Sequence, residues 1–278
     1  MTTPYSLGGT LDELEVTLLL EGIHRHYGYD FRNYARSSLN RRIRHRMREE
    51  GVGTVTGLLE RVLHEPSAVQ RLLYDLSVNV TAMFRDPSFY VAFREKVVPV
   101  LRTYPFLRIW NAGCSSGEET YSLAILLDEE GLLDSSRIYA TDMNDAVLDR
   151  ARAGEFPLDR MRDYTANYIG AGGRRAFSEY YTAGTQHASF DRRLIENVVF
   201  AQHNLVSDRS FNEFHAIVCR NVLIYFDHTL QARVQELFHD SLVMFGVLGL
   251  GSKESIRGVP ERCYEPVDSS ERLFRKVR

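Results

Sequence analysis

Residues 111–122 read "NAGCSSGEETYS", set between "LRIW" at 107–110 and "LAILLDEE" at 123–130. A strand that runs into two glycines four apart, Gly113 and Gly117, and then straight into a helix has the form of the first strand-to-helix turn of a doubly wound sheet. Outward from this turn the chain alternates. Strand patterns fall at 107–111, 137–141, 197–201, 215–219 and 246–250, with a C-terminal strand over 272–277; helix patterns fall at 118–130, 144–153 and 228–243. The alternation predicts an α/β fold, a mostly parallel sheet covered on both faces. Residues 174–196 are less regular and read as a short β insertion.

Before residue 106 the pattern is helical. "TLDELEVTLLLEGIHRHYG" opens on Thr10 with Glu13 three positions on, a capping-box spacing, and ends at Gly28. A second helix is expected over about 34–50, stopping at "GVG", with others at 54–64 and 66–76. In the second, Leu39, Ile43 and Met47 recur every four residues as an apolar stripe, while Arg41, Arg44 and Arg48 project elsewhere. The organisation read from this is an all-helical N-terminal domain over 1–76, and then a 77–105 segment whose helix lines the ligand site. Asp86 is its expected N-cap and Pro87 its first residue. The α/β domain follows over 106–278.

A chain of 278 residues, 44% hydrophobic and 26% charged, has room for a full core. "MTTPYSLGGT" lacks the basic start of a signal peptide, and the longest nearly apolar stretch, 242–251, is about half of a bilayer span. The expectation is a cytoplasmic protein with no direct membrane insertion. Three cysteines, Cys114, Cys219 and Cys263, show no CxxC pair and no zinc-ligand spacing, so reduced thiols and no metal are expected. The net charge of −3 says little, but residues 31–48, "FRNYARSSLNRRIRHRMR", hold seven arginines and no acid.

The turn itself argues about its ligand. A dinucleotide turn uses G-x-G-x-x-G so that backbone amides and the helix N-terminus meet a pyrophosphate. Here the middle glycine is missing and Glu118 and Glu119 open the helix, so a phosphate would meet like charge. A ligand with a cationic group and hydroxyls suits the turn better, and S-adenosylmethionine is one, with Asp142 at the end of the second strand able to accept from its ribose. The alternative is that the glutamates only complement the helix dipole and that Asp142 or Asn144 only caps the next helix. Asn204 after the third strand, and Arg220, Asn221 and Tyr225 after the fourth, point to the same sheet edge, although an Asn after a strand is often a turn residue.

Six stretches in register, "VNVTAMFRD", "GCSSGEETYSLA", "YATDMNDAVLDRAR", "HNL", "CRNVLIYFD" and "GLGSKES", resemble the CheR-type, S-adenosylmethionine-dependent protein-glutamate O-methyltransferases of bacterial chemotaxis. The resemblance implies a Rossmann-like methyltransferase sheet and a product, S-adenosylhomocysteine. It places cofactor contacts on Asn79, Thr81, Arg85, Gly113, Glu118, Asp142, Asn204, Leu205, Arg220 and Asn221, with Arg85 and Tyr225 flanking the transferred methyl. Thr120 stands where the family usually has proline. Members that tether to a receptor's C-terminal peptide carry an antiparallel subdomain; the short stretch "YYTAGTQHASFDRRLIENVVF" implies that this chain does without that tether.

The implied acceptor, a glutamate carboxylate, is ionised at neutral pH with a pKa of about 4.3 and needs no general base. That fits nine histidines without a usable pairing. Arg85 can orient a carboxylate through a forked hydrogen bond or pair with Asp86; Tyr225 can sit by the methyl or in the core. Arg41, Arg44, Arg46 and Arg48 suit an acidic helical substrate, the cytoplasmic part of a chemoreceptor, against the alternatives of nucleic acid or a solvated face. A nucleic-acid methyltransferase is disfavoured by "CRNVLIYF" where amino-methylating enzymes have D/N-P-P-Y/F, a nicotinamide dehydrogenase by Glu118; no nucleic-acid partner is expected. A non-catalytic scaffold that binds the cofactor is the remaining rival.

Overall fold

The computed structural model describes residues 10–77, 81–257 and 259–278. The chain divides into two compact units, Met1–Val78 with Tyr225–Asp227, and Asn79–Ile224 with His228–Arg278.

The smaller unit is built on α1 (Leu11–Tyr27), α2 (Arg36–Glu50), α3 (Val55–His64) and α4 (Pro66–Leu76). The Thr10 hydroxyl accepts from the Glu13 N–H, the Glu13 carboxylate accepts from the Thr10 N–H at 2.8 Å, and Gly28 ends α1 at φ 80°. Leu19, Leu20 and Ile23 of α1 are buried, as are Leu58 and Val62 of α3 and Leu72 of α4. On α2 the expected stripe narrows: Leu39 and Ile43 are buried, whereas Met47 is half-exposed and lines an open groove. Tyr225–Asp227 joins this unit through a bridge pairing Tyr34 with Phe226, whose rings meet edge-on at 4.8 Å. The Ala35 N–H donates to the Tyr225 carbonyl at 2.8 Å and the Asp227 N–H to the Asn33 carbonyl at 2.9 Å.

Charge also organises the unit. The Glu50 side chain is 5% exposed and accepts from Arg71 at 2.7 and 2.9 Å, from Arg61 at 3.1 Å and from Arg46 at 3.5 Å. These guanidinium groups, Arg71 foremost, pull its carboxyl down to about 2.

The larger unit contains a seven-stranded sheet in the order β6-β2-β1-β7-β8-β10-β9. The strands are β1 (Leu107–Ala112), β2 (Ser136–Asp142), β6 (Val198–Gln202), β7 (Phe214–Cys219), β8 (Leu242–Leu250), β9 (Tyr264–Asp268) and β10 (Leu273–Lys276). β1 runs parallel to β2 and β7, β2 to β6 and β7 to β8, while β10 is antiparallel to both its neighbours. Every residue of β7 is buried, as expected of a central strand covered on both faces. The helices α7 (Glu118–Glu129), α8 (Asp145–Ala153) and α10 (His228–Ser241) pack on the sheet. Strand order reverses between β1 and β7, which makes the carboxyl ends of β1, β2, β6 and β7 the expected ligand crevice.

Around this sheet lie α5 (Pro87–Ala92), continued through a π-helical turn at Phe93–Val97 into α6 (Val98–Leu101), then β3 (Glu155–Pro157), α9 (Met161–Gly170), β4 (Tyr181–Ala183) and β5 (His187–Phe190). The insertion is a three-stranded antiparallel sheet, β3-β5-β4, and takes its first strand from residues before 174. The π-helical turn aims buried Arg94 at Glu129 and Glu130 on the end of α7. No helix among the described residues is long and apolar enough to cross a membrane, and Cys114, Cys219 and Cys263 form no disulfide among them.

Because Glu50 titrates near 2 in the folded chain and near 4.5 ordinarily, its contribution is complete above pH 4.5 and fades as pH falls toward 2. Glu50→Gln is expected to lower unfolding stability by about 2 kcal/mol at pH 7, with the gap to the parent narrowing from pH 5 to pH 3 in urea melts.

Candidate cofactor and active site

The turn after β1 is shaped by backbone geometry that side chains resist. Gly113 has φ 76°, and a Cβ there would lie 2.5 Å from Val222 Cγ2. Gly117 has φ 99° and would place a Cβ 2.8 Å from that of Ala151. Ser115, between them, is left-handed without being glycine, at φ 51°. The Gly113 and Cys114 N–H groups donate to the Thr141 carbonyl at 2.8 and 2.9 Å, sewing the turn to the end of β2.

Asp142 ends β2 under the same turn. Its carboxylate accepts the Ser115 N–H and the Asn144 N–H, each at 3.0 Å, and burial still pushes its pKa up. Asn144 caps α8 by accepting from the Ala146 N–H at 3.0 Å. Glu118 opens α7 and is 6% exposed. Its carboxylate accepts from Ser116 Oγ at 2.7 Å and, at 3.4 Å, from Tyr164 Oη on α9; burial raises its pKa as well. Among the described residues no cation forms an ion pair with it.

Glu119, one residue on, points elsewhere, because consecutive helix positions are about 100° apart. One oxygen receives Arg220 Nη1 at 2.9 Å and the other Asn111 Nδ2 at 2.9 Å; Thr120 Oγ1 donates to Asn111 Oδ1 at 2.7 Å. The threonine in place of the family's proline thus has a partner. Arg220 Nη2 donates to the Arg85 carbonyl at 2.9 Å and to the Asp86 carboxylate at 2.8 Å, and its guanidinium lies 4.2 Å from the Phe89 ring centre. Asp86 therefore does not cap α5 with its side chain, as the sequence suggested; it is left-handed at φ 55° and turned to Arg220.

Asn221 follows at φ 61°. Its N–H donates to buried Glu254 at 3.1 Å, and the same carboxylate accepts from Gly251 at 2.6 Å and Ile224 at 3.3 Å. Glu254 lies in the stretch "GLGSKES", whose sequence alone does not give it this task. Asn204 spends its Oδ1 on the Val206 N–H at 3.0 Å, the turn role weighed as its alternative, and Leu205 beside it is buried. Thr81 is half-buried; Asn79 lies outside the described residues.

The sequence-predicted residues thus divide. Arg85, Gly113, Glu118, Asp142, Asn204, Arg220 and Asn221 stand at the ends of β1, β2, β6 and β7 or in contact with residues that do. Tyr225 belongs with the helical unit, where the Arg42 guanidinium lies 5.0 Å from its ring centre. Arg41, Arg44 and Arg48 line the open groove of about 670 Å³ on α2, with Ser37, Asn40, Met47 and Val52. Arg46 corrects the sequence reading: its side chain turns inward, 12% exposed, to pair with the half-buried Asp75 at 2.7 Å and with Glu50.

The crevice residues fit S-adenosylmethionine by donor set. A buried carboxylate without a cation suits an ammonium, a second at a strand end suits ribose hydroxyls, and Ser115 Oγ and Arg220 Nε are buried without a protein partner. A seven-stranded sheet of this order and such a first turn define a Rossmann-like methyltransferase domain. The chain belongs to the CheR methyltransferase family: residues 79–271 match its S-adenosylmethionine-binding domain and residues 14–77 its all-alpha domain. It is 50% identical over 266 residues to a Pseudomonas putida protein that carries the name methyltransferase Cher3, covering 95% of this chain and 97% of that one. It is 31% identical to the chemotaxis protein methyltransferase of Listeria innocua, over 84% and 87% of the two chains. Against chemotaxis protein methyltransferase 2 of Pseudomonas aeruginosa it is 32% identical, over 81% and 83%.

A protonated Glu118 cannot receive an ammonium, so affinity for S-adenosylhomocysteine should fall as pH drops through its raised pKa, by up to about tenfold per pH unit. Calorimetric titration from pH 8 to pH 5 should show this, with Glu118→Gln weaker throughout and less steep.

Proposed function

We propose that the protein transfers the methyl group of S-adenosylmethionine to glutamate side chains of an acidic helical signalling protein, the cytoplasmic part of a chemoreceptor. The observation that carries the choice of acceptor is the groove on α2, whose Arg41, Arg44 and Arg48 recur at helical spacing around the half-buried Met47. A cationic rim with an apolar element selects an acidic helix and steers it to the enzyme. The naming of relatives as chemotaxis methyltransferases supports the same acceptor class.

S-adenosylmethionine supplies an electrophilic methyl on a sulfonium, and the chain's own residues have to place and dry the nucleophile. A glutamate acceptor arrives ionised, so no proton has to be removed. Arg85 is the candidate to orient it by a forked hydrogen bond. Charge on carboxylate and sulfonium is lost together as the bond forms, so a water-poor site favours the step.

The test incubates the protein with methyl-labelled S-adenosylmethionine and an acidic receptor signalling fragment. Protein-bound label released as methanol by mild base is the expected result; base-stable label would place the methyl on nitrogen and remove the glutamate reading. Arg85→Ala should cut the rate at least 1000-fold while S-adenosylhomocysteine binding stays measurable, a loss of roughly 4 kcal/mol in the transition state. Raising salt from about 50 to 500 mM should raise KM for the fragment several-fold, and Arg41→Ala with Arg48→Ala should remove most of that dependence.

A further inference from the structure

The segment that carries Arg85 is fixed to a degree that loop residues seldom are. Phe84 and Asp86, on either side of it, are both left-handed, at φ 48° and 55°, a conformation that costs bulky residues on the order of 1 kcal/mol or more each. The strain is held by contacts on every side. The Phe84 N–H donates to Ser122 Oγ at 2.8 Å, and the Met83 carbonyl accepts Asn167 Nδ2 of α9 at 3.0 Å. The Arg85 carbonyl and the Asp86 carboxylate share one nitrogen of Arg220, at 2.9 and 2.8 Å. Arg220 in turn is anchored by Glu119, which Asn111 holds from the other side.

One member of this chain is out of character. Asp86 precedes a helix with Pro87 at its start, the position where an aspartate normally accepts from the helix amides, yet it makes no such bond. Its side chain is 41% exposed, so folding alone does not require the aspartate. What the carboxylate does is fasten the peptide next to Arg85 to the buried Arg220.

We propose that Asp86 is a positioning residue for methyl transfer: through Arg220 it sets the backbone from which Arg85 reaches the acceptor carboxylate. The proposal rests on the reading of Arg85 given above. It gives Arg220 a task besides any cofactor contact, since three of the five N–H groups of that guanidinium go to Glu119, Asp86 and the Arg85 carbonyl.

The experiment is a kinetic double-mutant cycle on the full chain with the receptor fragment, accompanied by S-adenosylhomocysteine titration and a thermal melt for each variant. Asp86→Asn and Asp86→Ala should lower kcat about 10- to 100-fold, with cofactor Kd within about twofold and an unchanged melt, and Asp86→Glu should restore part of the rate. In an Arg85→Lys background, which keeps the charge and loses the fork, Asp86→Asn should cost less than threefold more. Full activity in both Asp86 variants, a matching loss of cofactor affinity, or additive losses in the cycle would each overturn the proposal. An active Arg85→Ala would instead remove the reading of Arg85 on which it stands, and a melt lowered in step with kcat would reduce Asp86 to a structural role.

Discussion

A guanidinium removed from water needs partners for its charge, and in this protein the groups that answer Arg220 arrange the crevice. Its side chain is 2% exposed and stands just past the end of β7. The partners it requires come from the start of α7, in Glu119, and from the segment before α5, in Asp86 and the Arg85 carbonyl. Removing Glu119, the partner withdrawn from water with it, typically costs about 3–5 kcal/mol, which ties the end of β7 to the start of α7, while the half-exposed Asp86 and the Arg85 carbonyl supply its remaining bonds. The sheet supplies the place and the charge supplies the register.

The consequence is a division between the two adjacent glutamates. Glu119 is consumed by the scaffold, and that leaves Glu118 with no ion pair among the described residues, its pKa raised by burial, while Ser115 close by in the turn has an unpaired hydroxyl. Half-buried Asp142 after β2 and buried Glu254 after β8 each collect backbone N–H groups and stiffen a turn. A cationic, hydroxyl-bearing ligand meets negative charge that is already in place, with little left to reorganise.

The strands and helices around this site were legible because their patterns are strong. β1, β2, β6, β7 and β10, and the helices α7, α8 and α10, lie within a residue or two of their expected spans, and β8 begins four residues ahead of its own. α9 was missed: it has no side-chain cap, follows a short 3-10 turn, and its buried Met161, Tyr164 and Tyr168 are interrupted by polar residues. β9 was missed because Pro266 sits in its middle, tolerated only because the strand lies at the sheet edge. Within the site, the sequence located Glu118 and Asp142 by their place after strands. The resemblance singled out Glu118, but the sequence could not give Glu119 its bond to Arg220, turn Arg46 inward or give Glu254 its loop, because those roles depend on which neighbours the fold delivers.

The bridge between Tyr34 and Phe226 bears on how the chain can be divided. Three residues from the middle of the α/β sequence are structural members of the helical unit, so its boundary is drawn twice, once after α4 and once around Tyr225–Asp227. A hybrid that borrows the helices of a relative while keeping its own 225–227 segment would join mismatched halves of one small β-bridge. Exchange of the helical unit between relatives therefore has to move two separate pieces of sequence, and a single crossover point does not serve.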